Sequence, residues 1–297
     1  MNKYILLIIS IVCAVLANIV KKHSSTKFQS KTAMRFLFNS IVSLTCVICF
    51  LVVGGAHEIS SFTVMLGIIF GVTTVLQQFF SLLAYECGPF AYTAVIVSLS
   101  TIIPALSGCI FWGEDISTVQ IVGIVLMLLC FILSVDFSSR GKKTSPLWFI
   151  CVLITFVATG LIGVMQKIHQ TSPYKAELDG FLITAFLCSF LISALVTSVI
   201  TARFSKEKRE ALKSKDITAY AFMLMIICGI CAAANNKLNL HLSGVMDSAI
   251  FFPVVNVGGM LLSALSSFLL FKERLSLQKW LGIFVGIVAV ALLCNPF

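Results

Sequence analysis

A chain of 297 residues that is 59% hydrophobic and only 11% charged, with a mean hydropathy of +1.05, has too little polar surface to coat a water-soluble globule. Its net charge of +9 calls for no nucleic-acid partner, because a basic skin on one face of a membrane protein accounts for it. Backbone inside a bilayer must satisfy its own hydrogen bonds, and a spanning helix takes roughly 20 mainly apolar residues, so long apolar runs here are helices.

Ten such runs succeed one another. The first half of the chain holds Tyr4 to Val20, Phe36 to Val53, Phe62 to Tyr85, Phe90 to Trp112 and Val119 to Val135; the second holds Leu147 to Met165, Phe181 to Thr201, Ile217 to Leu240, Ala249 to Phe271 and Trp280 to Cys294. The longest polar connection, Arg203 to Asp216, is too short for a soluble domain. Run one comes after Lys3 and ends in Val15-Leu16-Ala17, a sequence a signal peptidase accepts. It is expected to be retained, because Lys21-Lys22-His23 after it resembles Lys167-Ile168-His169 after run six.

One stretch occurs twice. Ala105-Leu106-Ser107, Glu114, Ser117, Gly123 and Ile124 reappear as Ala264-Leu265-Ser266, Glu273, Ser276, Gly282 and Ile283, every pair 159 positions apart. Self-similarity at a fixed period marks an internal duplication. The expected fold is therefore all-α and membrane-integral, with ten transmembrane helices in two five-helix repeats, residues 1–138 and 139–297, forming one membrane unit. An odd number of helices per repeat forces the halves into opposite orientation, the inverted-repeat plan of many secondary carriers. With ten crossings, the loops after the odd-numbered runs carry seventeen Lys and Arg and the other face carries four, Lys3, Lys167, Lys175 and Lys237. The positive-inside rule then puts both termini outside.

Two five-helix halves, each with a Glu-x-x-Ser turn leading into a glycine-bearing last helix, resemble the drug/metabolite transporter superfamily in its EamA-like branch, over essentially the whole chain. Glu114 and Glu273 with Gly123 and Gly282 match the family's repeated turn, and Arg35 matches a basic residue often found opening the second helix. The resemblance implies a carrier whose central cavity is lined by runs three, four, eight and nine and parts of one, two, six and seven, with export the commoner direction. It also implies cytoplasmic termini, against the charge count. The small four-helix relatives keep a Glu in the first helix for proton-coupled drug export; run one here has Asn18 and no carboxylate, which disfavours that chemistry.

Polar side chains inside spanning helices are expensive unless they face protein or a wet cavity, so they are candidate site residues. Gln77-Gln78 in run three and Asn235-Asn236 in run eight stand 158 positions apart. They read as matched hydrogen-bonding surfaces across a cavity or, equally, as interhelical glue. Run nine carries Pro253, Asn256, Gly258 and Gly259, where a bend can release carbonyls; run four has a milder version in Ser98, Ser100, Thr101 and Pro104. A packing kink is the competing reading. Lys237, deepest of the lysines, would favour an anionic or zwitterionic substrate if buried. Lys21 and Lys167 read as snorkelling to the interface, Glu86, Asp247, Glu114 and Glu273 as solvated loop carboxylates, and His241 as structural rather than a proton relay.

Cys46-Val-Ile-Cys49 and Cys228-Gly-Ile-Cys231 sit in apolar helices without a partnering ligand pair and read as small apolar residues. Gly67-x-x-x-Gly71 and Gly282-x-x-x-Gly286 read as packing faces. With no Walker loop, dinucleotide fingerprint or zinc motif in the sequence, neither a cofactor nor a metal is expected. The chain reads as a multi-pass secondary carrier of the cytoplasmic membrane, not an enzyme. It would move a small organic solute, metabolite or amino-acid-like, by alternating access, with proton or counter-solute coupling, as monomer or homodimer. The substrate contacts would be Gln77, Gln78, Asn235, Asn236, Lys237, Asn256, Asn18 and Ser98, and Pro253, Gly258, Gly259, Glu114 and Glu273 would serve gating or turns. The alternatives are an uptake or exchange carrier for an anionic or sugar-like solute, and a membrane receptor or scaffold.

Overall fold

The computed structural model describes residues 2–28, 32–54, 59–87, 90–133, 145–202, 219–271 and 276–294. Among them every regular element is helical: α1 (Lys3–Phe28), α2 (Thr32–Gly54), α3 (Ser61–Cys87), α4 (Phe90–Leu99), α5 (Ile102–Trp112), α6 (Thr118–Leu133), α7 (Pro146–Thr171), a 3₁₀ turn (Lys175–Glu177), α8 (Leu178–Ala202), α9 (Ala219–Val245), α10 (Ser248–Phe271) and α11 (Leu277–Leu293). Seven apolar spans among the described residues are long enough to cross a membrane: those in α1, α2, α3, α7 and α9, Thr93–Trp112 across α4 and α5, and Lys175–Ala202. Three further apolar stretches, Thr118–Leu133, Ser248–Ser263 and Leu277–Leu293, are shorter. Large side chains such as Val52, Ile110 and Phe284 stand exposed, an apolar surface that lipid covers and water does not favour. The chain is a multi-pass membrane protein, all-helical among the described residues.

The helices pack as two compact units, each drawn from both halves of the sequence. Unit one comprises Met1–Leu7, Leu76–Ser172 and Leu240–Phe297. Lipid gives helices no hydrophobic reason to associate, so close backbone approach between small residues does the work. In unit one Gly123 of α6 lies against Ala289 and Leu293 of α11, and Cys130 of α6 donates to the Gly282 carbonyl of α11 at 3.1 Å. Met127, Cys130, Phe131, Val257 and Ala289 form the core there. On the other side of the unit, Gly160 and Gly163 bring α7 onto Ile103 and Pro104 of α5. Trp148, capped into α7 by Ser145, donates its indole N–H to Thr93 at 2.8 Å.

Unit two comprises Ile8–Val75 and Pro173–Asn239. Here α2 packs along α8, with Phe50 against Phe186 and Asn39 donating to Ser193 at 2.8 Å. Gly71 of α3 lies against Ala185 and Cys188 of α8, and Ser189 donates to its carbonyl at 3.2 Å. Gly229 of α9 lies against Thr45 of α2, and Cys46 donates to its carbonyl at 3.3 Å. The buried Cys46 and Cys228 thus serve as small packing residues, and all eleven cysteines are free.

The helix break falls elsewhere than expected. Run nine is continuous as α10, with Pro253 inside it, whereas run four divides into α4 and α5 at Ser100–Thr101. The hydroxyls of Ser100 and Thr101 donate to the Val97 and Ser98 carbonyls at 2.6 and 2.8 Å, and Pro104 brings no N–H to the next turn. Three adjacent departures from the helical ladder break it, where one proline near the start of α10 does not.

Candidate functional site

Two polar clusters stand inside the apolar helices, one in each unit. The unit-one cluster begins with local chain geometry. Gly113 adopts φ +62°, a left-handed conformation that costs glycine little, and its N–H bonds back to the Gly108 carbonyl to end α5. The Glu114 N–H reaches the same carbonyl at 3.2 Å. That turn folds the Glu114 side chain back over Gly108, where any Cβ would collide with the carboxylate. Its Oε2 accepts from the Ser248 backbone N–H at 2.6 Å, and its Oε1 lies 2.6 Å from the Lys167 ammonium. Lys167 also donates to the Met246 carbonyl at 3.1 Å.

Both partners are buried, at 7% side-chain exposure for Lys167 and 9% for Glu114. The ion pair straddles the corner between two helices. The carboxylate faces the N-terminus of α10 and the ammonium the carbonyls where α9 ends, so each charge sits at the dipole end that favours it. The solvated-loop reading of Glu114 and the snorkelling reading of Lys167 are both corrected, for α7 continues past the apolar run to Thr171 and carries Gln166, Lys167, His169 and Gln170 buried in its last turns. Trp112 donates to Thr171 at 2.9 Å beside them.

In unit two, the buried Ser10 hydroxyl of α1 lies 3.0 Å from Asn235 Oδ1 and 2.5 Å from Asn239 Oδ1, both on α9. Asn239 donates to Asn235 Oδ1 at 3.2 Å. The neighbouring Asn236 instead turns its amide onto its own helix, donating to the Ala232 carbonyl at 2.8 Å. Lys237 points its ammonium to within 2.7 Å of Asp179 Oδ1, in the first turn of α8. That contact is one of charge, since among the described residues Oδ1 accepts no aligned hydrogen bond. Lys237 is thus no free cation awaiting an anionic solute.

The other sequence candidates are dispersed. Gln77 and Gln78 are half-buried on the unit-one part of α3. Asn256 is exposed on α10 and donates to the Phe252 carbonyl at 2.9 Å, Ser98 donates to the Ala94 carbonyl at 2.9 Å, and Asn18, Asp247 and His241 are exposed. Pro253 is buried, Gly258 half-buried, and Gly259 has open space where a Cβ would stand, so it serves no close approach. Glu273 and the side chains of Glu86 and Lys21 lie outside the described residues. Sequence reasoning missed Ser10, Asn239 and Asp179. The i, i+4 spacing of Asn235 and Asn239 was the available signal for one of them. Among the described residues no three His, Cys, Asp or Glu side chains cluster as metal ligands.

No protein-family model matches the chain. It is similar to "Putative sugar uptake protein lin0215" of Listeria innocua, 23% identical over 273 residues, 90% of this chain and 89% of that one. It is also 23% identical over 195 residues to an uncharacterized protein of Haemophilus influenzae, a match spanning 65% of this chain and 62% of that protein's length. A solved structure described as "Crystal structure of protein" superposes with a TM-score of 0.74 at 13% identity, covering 98% of this chain and 95% of that one, which establishes a shared fold.

Proposed function

We propose that the protein is a secondary transporter of the cytoplasmic membrane that takes up a small organic solute, sugar-like in chemistry, by alternating access. The observation that carries this reading is the end-to-end similarity of an apolar helical bundle to a relative whose name describes sugar uptake. That name favours uptake over the export implied by the family resemblance. An intramembrane enzyme would need paired reactive groups at one depth; among the described residues the Glu114–Lys167 pair ties the turn after α5 to the last turns of α7, and the Lys237–Asp179 pair ties α9 to the first turn of α8.

The reading includes ten crossings in two inverted repeats of the drug/metabolite transporter type. Its support is contacts that recur under exchange of the halves. Gly71 with Cys188 and Ser189 has its counterpart in Gly229 with Thr45 and Cys46, where the glycines are 158 positions apart and the partners 143. Gly123 with Ala289 corresponds to Gly282 with Cys130 at a uniform 159. A two-fold relation between inverted halves produces this reciprocity; independently evolved helix contacts have no reason to. Counterflow into proteoliposomes with pooled labelled sugars, amino acids and organic acids tests the function. Uptake against preloaded unlabelled solute is expected for sugars, and absence of flux for all three pools would rule out the carrier.

A further inference from the structure

We infer that Ser10, Asn235 and Asn239 form a hydroxyl-recognition site for a neutral polyol, a reading that rests on the transporter proposal and assigns its solute a charge class. Asn235 lies ten residues before the end of α9 at Val245, about 15 Å at 1.5 Å per residue. That is mid-depth in a hydrocarbon core of about 30 Å. Ser10 is likewise near the centre of its apolar span, Lys3–Val20. An amide at that depth is costly unless its hydrogen bonds are met by protein, water or solute.

The bonding inventory is unbalanced in one direction. The single Ser10 proton goes to the nearer oxygen, Asn239 Oδ1, and Asn235 Oδ1 accepts from Asn239, while the two Asn235 N–H groups have no partner among the described residues. Asn239 spends one N–H on Asn235 and keeps the other. Three N–H donors therefore remain on half-buried side chains, held in place by a buried serine hydroxyl. Such a site suits a ligand that presents oxygen acceptors in a row, as adjacent hydroxyls and a ring ether do.

Charge decides between neutral and anionic acceptors. An anion taken to mid-membrane needs a cation to meet it. The lysine of the same helix, Lys237, is already matched by Asp179 at 2.7 Å. The cluster offers donors without net charge, which selects a neutral solute.

The test is uptake of D-glucose, D-xylose and glycerol, with D-glucuronate as the charged analogue, by the full-length chain in proteoliposomes. Expected is saturable uptake of at least one neutral polyol and none of glucuronate. Asn235→Ala and Asn239→Ala should each raise KM about tenfold or more, as loss of one or two hydrogen bonds requires. Asn235→Gln, which keeps the donors on a longer stem, should retain part of the affinity. Should Asn235→Ala fail to fold, Ser10→Ala, which keeps all the amide N–H groups but removes the hydroxyl that holds them, is expected to raise KM, and an unchanged KM in the folded variant would count against the site. Wild-type KM in folded Asn235→Ala and Asn239→Ala would make the cluster interhelical glue and leave the transporter reading intact. Preference for glucuronate would overturn the neutral class alone. No flux with any probe, in protein active in pooled-solute counterflow, would overturn the polyol class.

Discussion

Glu114 and Lys167 do more together than either could alone. Removing one partner of a buried ion pair leaves the other charge uncompensated, at a cost of about 3–5 kcal/mol, whereas replacing both with uncharged side chains of similar volume is often neutral. Glu114→Gln or Lys167→Met should therefore each lower thermal stability in detergent strongly, and the double variant should recover most of the loss. The charge swap Glu114→Lys with Lys167→Glu makes a sharper comparison. It would keep a pair but aim an ammonium at the Ser248 N–H and a carboxylate at the Met246 carbonyl, setting donor against donor and acceptor against acceptor. The swap should stay unstable where the neutral double recovers. If the swap recovers equally, the helix ends contribute nothing and only the mutual attraction matters. Hydropathy alone could not reveal this pair, because the apolar run stops at Met165, two residues short of Lys167, and the polar residues past that boundary look like interface. The helix continues because its buried last turns pack against the α9–α10 corner, where Lys167 reaches the Met246 carbonyl, while Thr171 takes the Trp112 indole N–H.

At the level of the helix, a period of apolar residues locates the elements but not their interruptions. The ends of α2, α6, α10 and α11 fall within a few residues of the apolar runs, since a helix in lipid has to satisfy its backbone internally wherever the apolar stretch lies. The α4–α5 break depended on two hydroxyls choosing local carbonyls, which composition does not encode. Glycines divide in the same way, those at close contacts being indistinguishable in sequence from those in open space. Gly71→Val should be strongly destabilising, because a Cβ there meets the Ala185 carbonyl, and overpacking costs about 1–3 kcal/mol. Gly259→Ala meets nothing and should stabilise α10 by up to about 1 kcal/mol through helix propensity. Melting curves of the two variants in one detergent check the contrast. Equal destabilisation would mean that Gly259 is covered by something in the membrane.

For the whole molecule, the open quantity is the number of crossings, and the placement of the two ends decides it. Seven spans are long enough by themselves, and three are short: Thr118–Leu133 at 16 residues is about 24 Å of helix, against a core of about 30 Å. Bilayers thin locally around short helices at a cost of fractions of a kcal/mol per Å. The short stretches are not isolated, since α6 and α11 pack on each other through Gly123, Gly282 and Cys130. A pair of helices joined at that depth crosses together or not at all. Ten crossings put both termini on one face, and the Lys and Arg distribution makes that face the outside; seven would put them on opposite faces. Reporters fused separately before Met1 and after Phe297, one active only in the cytoplasm and one only outside, separate the cases. Both ends outside is the expected result. Both ends inside would keep ten crossings and show that the family's habitual orientation prevails over the charge count. Ends on opposite faces would remove the inverted repeat, because two five-helix halves cannot be built from an odd total.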